Sequence, residues 1–220
     1  MNRQVIVGFT TEGPTDVRFL ESVIQRTVEE VAFECSGLVE VLPIQYIEKQ
    51  NGNFVELVKN CARQAESLGV MVLCVHVDAD ARTDADTFDR KIDPAFTAIN
   101  NLPREHVCKN LVAIVPVQMT EAWMLSDKDL LKEEIGTSKS NLELGIHKLP
   151  ETYAAPKQAI EAAIRIARQD LTRRRRRKLT IGELYLPIGQ KVSLNKLEKL
   201  SSYQKFKEAV RSAFQKLGYL

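Results

Sequence analysis

The stretch VMVLCVHVDADAR, residues 70–82, decides the fold. Its first eight residues are almost continuously apolar, without the alternation of a half-exposed strand. Strands buried on both faces read this way, and they belong to parallel sheets covered by helices. The chain then turns acidic at once: Asp78 and Asp80 end the apolar run, and Asp84 and Asp86 follow closely. Carboxylates this crowded repel one another unless a cation sits among them. Asp84 and Asp86 suit solvated turn or capping chemistry. The DxD pair at the end of a buried strand asks for a cation.

Three more apolar runs flank this one. Residues 4–10 (QVIVGFT), 38–47 (LVEVLPIQYI) and 111–117 (LVAIVPV) read as strands. After the first, Val17, Phe19, Leu20, Val23, Ile24, Val28 and Val31 recur at helical spacing, with Thr15 as a cap and Asp16 in the first turn. Helices are also predicted over about 53–68, over 93–101 starting near Pro94, and from Thr120 through TEAWMLSD. Alternating strands and helices imply an α/β fold with a mainly parallel sheet flanked by helices. Residues 128–152 read as polar and irregular. A helix is predicted from 154 to about 172, and the tail 192–218 reads as two short helices. The expected organisation is a catalytic α/β domain over 1–135 and a basic helical C-terminal extension over 136–220, packed on it.

A hydrophobic content of 44% with 27% charged residues describes a soluble globular chain. No apolar run approaches the ~20 residues of a membrane span, so no membrane association is expected. The apolar part of MNRQVIVGFT is too short for a signal peptide and reads as a strand. The cysteines at 35, 61, 74 and 108 are scattered, with no CxxC spacing. They read as small core residues of a cytoplasmic protein rather than a zinc site. The net charge of +2 hides a split, because residues 1–150 carry −8 and residues 151–220 carry +10. An acidic site for metal beside a basic arm for a polyanion fits that split, and so does a solvated basic surface on a C-terminal helical segment. The basic arm centres on RRRRRK, Arg173, Arg174, Arg175, Arg176, Arg177 and Lys178.

In open parallel sheets, ligands gather at the carboxyl ends of the strands. Glu12 follows the first strand, Asp78 and Asp80 the third, and Glu121 the fourth, while Asp16 lies one helical turn past Glu12. Carboxylate oxygens suit hard cations such as Mg²⁺ or Mn²⁺. Trp123 and Phe19, at helical spacing, read as core, and His76 as a satisfied core histidine.

These residues carry a resemblance. VGFTTEGPTDVRFLE (7–21) resembles the opening Glu motif of the Toprim domain, shared by topoisomerases, primases and OLD-type nucleases, and VLCVHVDADAR (72–82) resembles its DxD motif. EGPTD is similar to the ExxxE variant of the OLD-type nucleases, with Asp16 in place of the second Glu. VPVQMTEAWMLSD (115–127) resembles the segment where those nucleases place a further acid, here Glu121. The chain also resembles a bacterial Toprim-like family with EAW after this strand, a Pro-Glu…Pro-Lys segment (LPETYAAPKQAI) and closing Y..F helices (SSYQKFKEAV). The resemblance implies metal-assisted phosphodiester hydrolysis in bacterial defence or DNA repair. Glu12, Asp78, Asp80, Glu121 and Asp16 would hold one or two Mg²⁺ or Mn²⁺ ions. The Arg run would contact the phosphates of DNA or RNA.

The chain departs from the OLD pattern at Met119, where a small hydroxyl residue is usual. The later catalytic lysine of those enzymes has Lys157 as its candidate, with Lys191 and Lys205 as alternatives. No GxxxxGKS or GxxxxGKT motif is present, so an ABC-type ATPase would be a separate partner. The competing reading is a non-catalytic Toprim-like module that binds nucleic acid or such a partner.

Overall fold

The apolar runs form strands that are all parallel. The computed structural model describes residues 3–50, 52–169 and 179–220. Strand β1 (Arg3–Val5) and strand β2 (Val7–Thr10) lead into helix α1 (Pro14–Ala32), then β3 (Val39–Val41), β4 (Gln45–Tyr46), helix α2 (Phe54–Ser67) and β5 (Val72–His76). Strand β6 (Leu111–Ile114) completes a four-stranded sheet of order β4-β2-β5-β6, and β1 pairs with β3 beside it. Phe9 lies opposite Cys74, and Cys74 opposite Val112, so all strands end at one edge.

The run 38–47 is two short strands rather than one. Pro43 has no N–H for a ladder, and the next N–H, of Ile44, donates instead to the Gln25 side chain at 3.0 Å. The chain bends there, and pairing passes from β1 to β2.

Alternate residues of the central strands face opposite layers. Phe9, Cys74 and Val112 are buried under α1 and the C-terminal helices. Leu73 and Val75 are buried on the other face against α2 and the helical stretch after β5. That stretch begins at α3 (Ala85–Thr87), passes through a π-helical turn (Phe88–Ile92) and ends in α4 (Asp93–Asn100). All four cysteines are free, and Cys61, Cys74 and Cys108 are buried.

After β6 come α5 (Thr120–Met124) and α6 (Lys128–Ile135). Helix α6 falls in a stretch expected to be irregular. Its polar sequence hides clear punctuation: Asp127 caps it by accepting the Leu130 N–H at 3.1 Å, and Gly136 ends it with φ +75°. Helix α7 (Pro156–Ala167) is shorter than the helix expected to reach 172. The run Arg173–Arg177 with Lys178 lies outside the described residues. The chain closes with α8 (Tyr185–Lys191), α9 (Leu194–Leu197) and α10 (Ser201–Lys216). Helix α8 was not expected, because a seven-residue segment holding Pro187 and Gly189 has poor helix propensity.

The C-terminal helices share the main core with the sheet. Trp123 is fully buried and stacks edge-on with Tyr203 at 5.3 Å, and its indole N–H donates to Ser202 at 2.7 Å. The Glu151 carboxylate accepts the N–H groups of Ser201 and Ser202, each at 3.1 Å, and so caps α10. Arg26 of α1 donates to the Gly189 and Val192 carbonyls at 2.7 Å, holding the end of α8 on α1. No helix among the described residues is long and apolar enough to cross a membrane.

Helix α8 lies so close to α1 that a Cβ on Gly189 would meet the Phe19 carbonyl oxygen at 2.6 Å. Backbone cannot yield as a side chain does. Gly189→Ala should therefore cost about 1–3 kcal/mol and lower the melting temperature by ~3–10 °C. Gly182→Ala, whose Cβ would meet only Thr180 Oγ1 at 3.6 Å, should change it little. Equal melting temperatures for the two variants in a thermal scan would contradict this packing.

Candidate acidic site at the carboxyl edge of the sheet

Pairing between β5 and β6 continues past both strands. The N–H of Val77 donates to Ile114 O at 3.1 Å, that of Ala79 to Pro116 O at 3.1 Å, and that of Asp80 to Gln118 O at 2.8 Å. The N–H of Gln118 returns to Ala81 O at 3.0 Å. At this crossing Asp80 has φ +51° and Gln118 φ +63°, both in the left-handed region. The extension carries Asp78 and Asp80 out of the sheet beside the start of α5, where Thr120 and Glu121 lie.

A short hydrogen-bond network ties the strand ends together. The N–H of Asp78 donates to Glu12 Oε2 at 3.0 Å, and the N–H of Glu12 donates to His76 Nδ1 at 3.3 Å. An acceptor at Nδ1 assigns the neutral ring's proton to Nε2. His76 Nε2 then faces Asp78 Oδ1 at 3.2 Å and Thr120 Oγ1 at 3.1 Å. The Thr120 N–H also donates to Asp78 Oδ1 at 2.9 Å. Thr120 is the first residue of α5 and turns its hydroxyl into this network, so it is not the helix cap expected of it. Gly13, rather than Thr15, is the N-cap of α1, and its N–H donates to Asp16 Oδ2 at 3.0 Å. On the far side the buried Tyr185 hydroxyl of α8 donates to Glu121 Oε1.

Glu12 and Asp80 face solvent, Asp78 is half-buried, and Asp16 and Glu121 are buried. Burial, with repulsion from Asp78, raises the Asp16 pKa, against an opposing pull from His76. Burial raises Glu121 as well, with Asp78 and Asp16 adding to it and the Tyr185 hydrogen bond opposing. Asp80 is raised by burial and by Asp78 and Glu12, while Lys91 opposes. Burial pushes the His76 imidazole toward neutrality, but the carboxylates of Asp78, Asp16 and Glu12 together outweigh it, so its pKa rises. Burial and Glu121 hold the Tyr185 hydroxyl protonated, as a donor. Among the described residues none of the five acids forms an ion pair with Lys or Arg.

The all-oxygen donor set has the chemistry a hard divalent cation takes. As the side chains lie, no three His, Cys, Asp or Glu among the described residues are arranged to hold one metal ion. The reason is visible in the bonds above: Glu12, Asp16, Asp78 and Glu121 are each turned toward a local N–H or O–H donor. Asp80 alone of the five accepts no hydrogen bond among the described residues.

The remaining sequence candidates fall elsewhere. Lys157 is exposed on the first turn of α7, with no bond to the acids among the described residues. Lys191 pairs with Glu134 at 2.7 Å, and Lys205 with Asp84 at 2.6 Å. That second pair corrects the solvated half of the reading of Asp84 as a solvated or capping residue: it is 6% exposed, sits at the N-cap position of α3 and anchors α10 there. His76 is satisfied, as expected of a core histidine, but its partners are the acids themselves. Thr120, Tyr185 and the nearby lysines Lys49 and Lys91 carry no sequence signal that separates them from ordinary surface or helix residues.

A family model described as Domain of unknown function (DUF4276) matches residues 11–211. The chain belongs to the DUF4276 family. No curated protein and no solved structure matches it. The DUF4276 match opens at Thr11, one residue before Glu12, and closes inside α10. It therefore spans the acidic edge and the C-terminal helix that supplies Tyr185.

Asp80 combines a left-handed backbone with repulsion from two carboxylates. Asn tolerates that backbone and carries no charge. Asp80→Asn should thus raise the melting temperature of the EDTA-treated protein by about 1–4 °C, a range that allows for solvent screening of an exposed group. A lowered melting temperature would mean that Asp80 is held for stability.

Proposed function

We propose that the chain is a divalent-cation-dependent nuclease of the Toprim/OLD type, acting on phosphodiesters of DNA or RNA. The observation that carries this reading is the gathering of Glu12, Asp16, Asp78, Asp80 and Glu121 at one sheet edge without a Lys or Arg partner among the described residues. Such an arrangement costs stability through repulsion, and a bound cation offsets that cost. Mg²⁺ or Mn²⁺, when bound, supplies neutralisation of phosphoryl charge and an activated water. The exposed Glu12 and Asp80 and the half-buried Asp78 are the residues that would hold it. Asp16 and Glu121, buried behind them, add negative potential and are kept in place by Gly13 and Tyr185. His76 and Thr120 orient Asp78. The Arg173–Arg177 run and Lys178 belong to this proposal as phosphate contacts on the strength of their charge. A bacterial defence or repair role, a cytoplasmic setting and a separately encoded ABC-type ATPase partner extend the same reading.

The second reading is a non-catalytic module that binds nucleic acid or an ATPase. It draws on the same network, because carboxylates already satisfied by local donors can serve a purely structural end.

The readings separate in one set of assays. A nuclease should cleave plasmid or single-stranded substrate in Mg²⁺ or Mn²⁺ and not in EDTA. Asp78→Asn and Asp80→Asn should each lower the rate by about a hundredfold or more. Mn²⁺ at a hundredfold excess over its Kd should raise the wild-type melting temperature by ~5–10 °C, and Asp80→Asn should remove most of that gain. Cleavage that survives in EDTA or in both variants would sink the nuclease reading. A metal shift without cleavage would favour the binding module.

A further inference from the structure

Lys49 and Lys91 stand on the α2 side of the acidic row. With Thr10, Glu12, Phe54 and His76 they line a cavity of about 250 Å³. The cavity opens outside the carboxyl ends of β2 and β5. There the connections diverge, since the chain after β2 returns to the sheet at β4 on one side while β5 leads to β6 on the other. Crevices at such divergence points are the usual ligand sites of open parallel sheets.

Both lysines are half-buried, and neither forms an ion pair among the described residues. Among the described residues the Lys49 ammonium donates to the Glu12 carbonyl oxygen alone. The Lys91 ammonium has no hydrogen bond among the described residues, although it is near enough to Asp80 to oppose the rise of its pKa. The contrast with other lysines of this chain is sharp. Lys132 reaches Asp129 at 3.1 Å, Lys196 reaches Asp127 at 2.6 Å, and the buried Lys207 pairs with Glu30 and Glu198. Half-buried ammonium groups held in no ion pair are open to a further anion, and two of them border this one cavity. The first turn of the 14-residue α2 borders the same space through Gly52 and Phe54 and adds the positive end of its dipole. Phe54 and Leu57 give one apolar wall, suited to a sugar or base edge.

We propose that Lys49 and Lys91 anchor a phosphate of a nucleic-acid strand in this cavity, next to the phosphate that faces the acids. The inference rests on the nuclease reading and deepens it by fixing which side of the acidic row the strand occupies. Two ammonium groups recognise a phosphate as point charges, without base information. A free nucleotide presents the same group and is separated from a strand by the test.

The test measures binding of a labelled single-stranded oligonucleotide in Ca²⁺ over a salt series, with AMP as a second probe. The full chain is used as wild type, as Lys49→Gln/Lys91→Gln, and as the charge-matched control Lys199→Gln/Lys216→Gln, whose two lysines are exposed. The first variant should lose about tenfold or more in oligonucleotide affinity. Its slope of log affinity against log salt should flatten by about 0.7, the share of one single-strand phosphate. The control should bind as wild type, and all three should melt alike and keep any Mn²⁺-induced shift. Unchanged affinity in Lys49→Gln/Lys91→Gln, an equal loss in the control, or no binding by wild type would overturn the anchor. Loss of AMP binding with oligonucleotide binding intact would also overturn it, by assigning the cavity to free nucleotides. Absence of a Mn²⁺ shift and of cleavage, with the lysine-dependent loss preserved, would remove the nuclease reading but leave the anchor standing.

Discussion

Parallel pairing of β2, β5 and β6 is the constraint on which the site depends. Parallel strands bring their carboxyl ends to the same edge, so residues just past Thr10, His76 and Ile114 must lie near one another whatever their distance in sequence. Glu12 and Asp78 are each two residues past their strands, and the Asp78 N–H to Glu12 bond at 3.0 Å locks those ends together. The continued ladder from Val77 to Asp80 against 114–118 then delivers Thr120 and Glu121 to the same place. Helix α8 closes the arrangement from the C-terminal side through Tyr185, and it reaches that position because Gly189 allows close contact with α1.

The energetics of this edge run against folding. Burial and mutual repulsion raise the pKa of Asp16, Asp80 and Glu121, which is a statement that their charged forms are disfavoured in the folded chain. Elsewhere the same chain neutralises buried acids directly, as Asp84 with Lys205 and Asp127 with Lys196. Lysines are close at hand here as well, yet Lys49 and Lys91 turn toward a cavity rather than into ion pairs with the acids. Segregated opposite charges with little pairing suit a site that takes a cation and a phosphate together.

Much of the fold was legible in the sequence because it rests on local signals. The continuous apolar run at 70–77 reads only as a doubly buried strand, and the helical stripe of α1 is unambiguous. Glu12, Asp78, Asp80 and Glu121 could be placed at one edge from strand order alone. What escaped depends on tertiary contact. Tyr185 reaches the site only through the packing of α8, whose Pro and Gly argue against a helix until α1 is there to receive it. Asp84 reads as a turn residue because Lys205 is far away in sequence. The split of residues 38–47 turns on Pro43, which has no N–H for the ladder, and on Gln25, which accepts the N–H of Ile44. Lys49 and Lys91 acquire meaning only once the cavity exists. Lys157 is a candidate by motif position alone, and nothing in its exposed surroundings distinguishes it.

The central claim is that the acids at this edge are gathered for a cation. Crystals of the wild-type chain grown or soaked with Mn²⁺ and measured at the manganese absorption edge test it most directly. The account predicts an anomalous peak within bonding distance of Asp78 and Asp80, with Glu12 turned from the Asp78 N–H toward the ion. Crystals saturated with Mn²⁺ that show no peak among Glu12, Asp78 and Asp80, with the Glu12 to Asp78 bond intact, would contradict it.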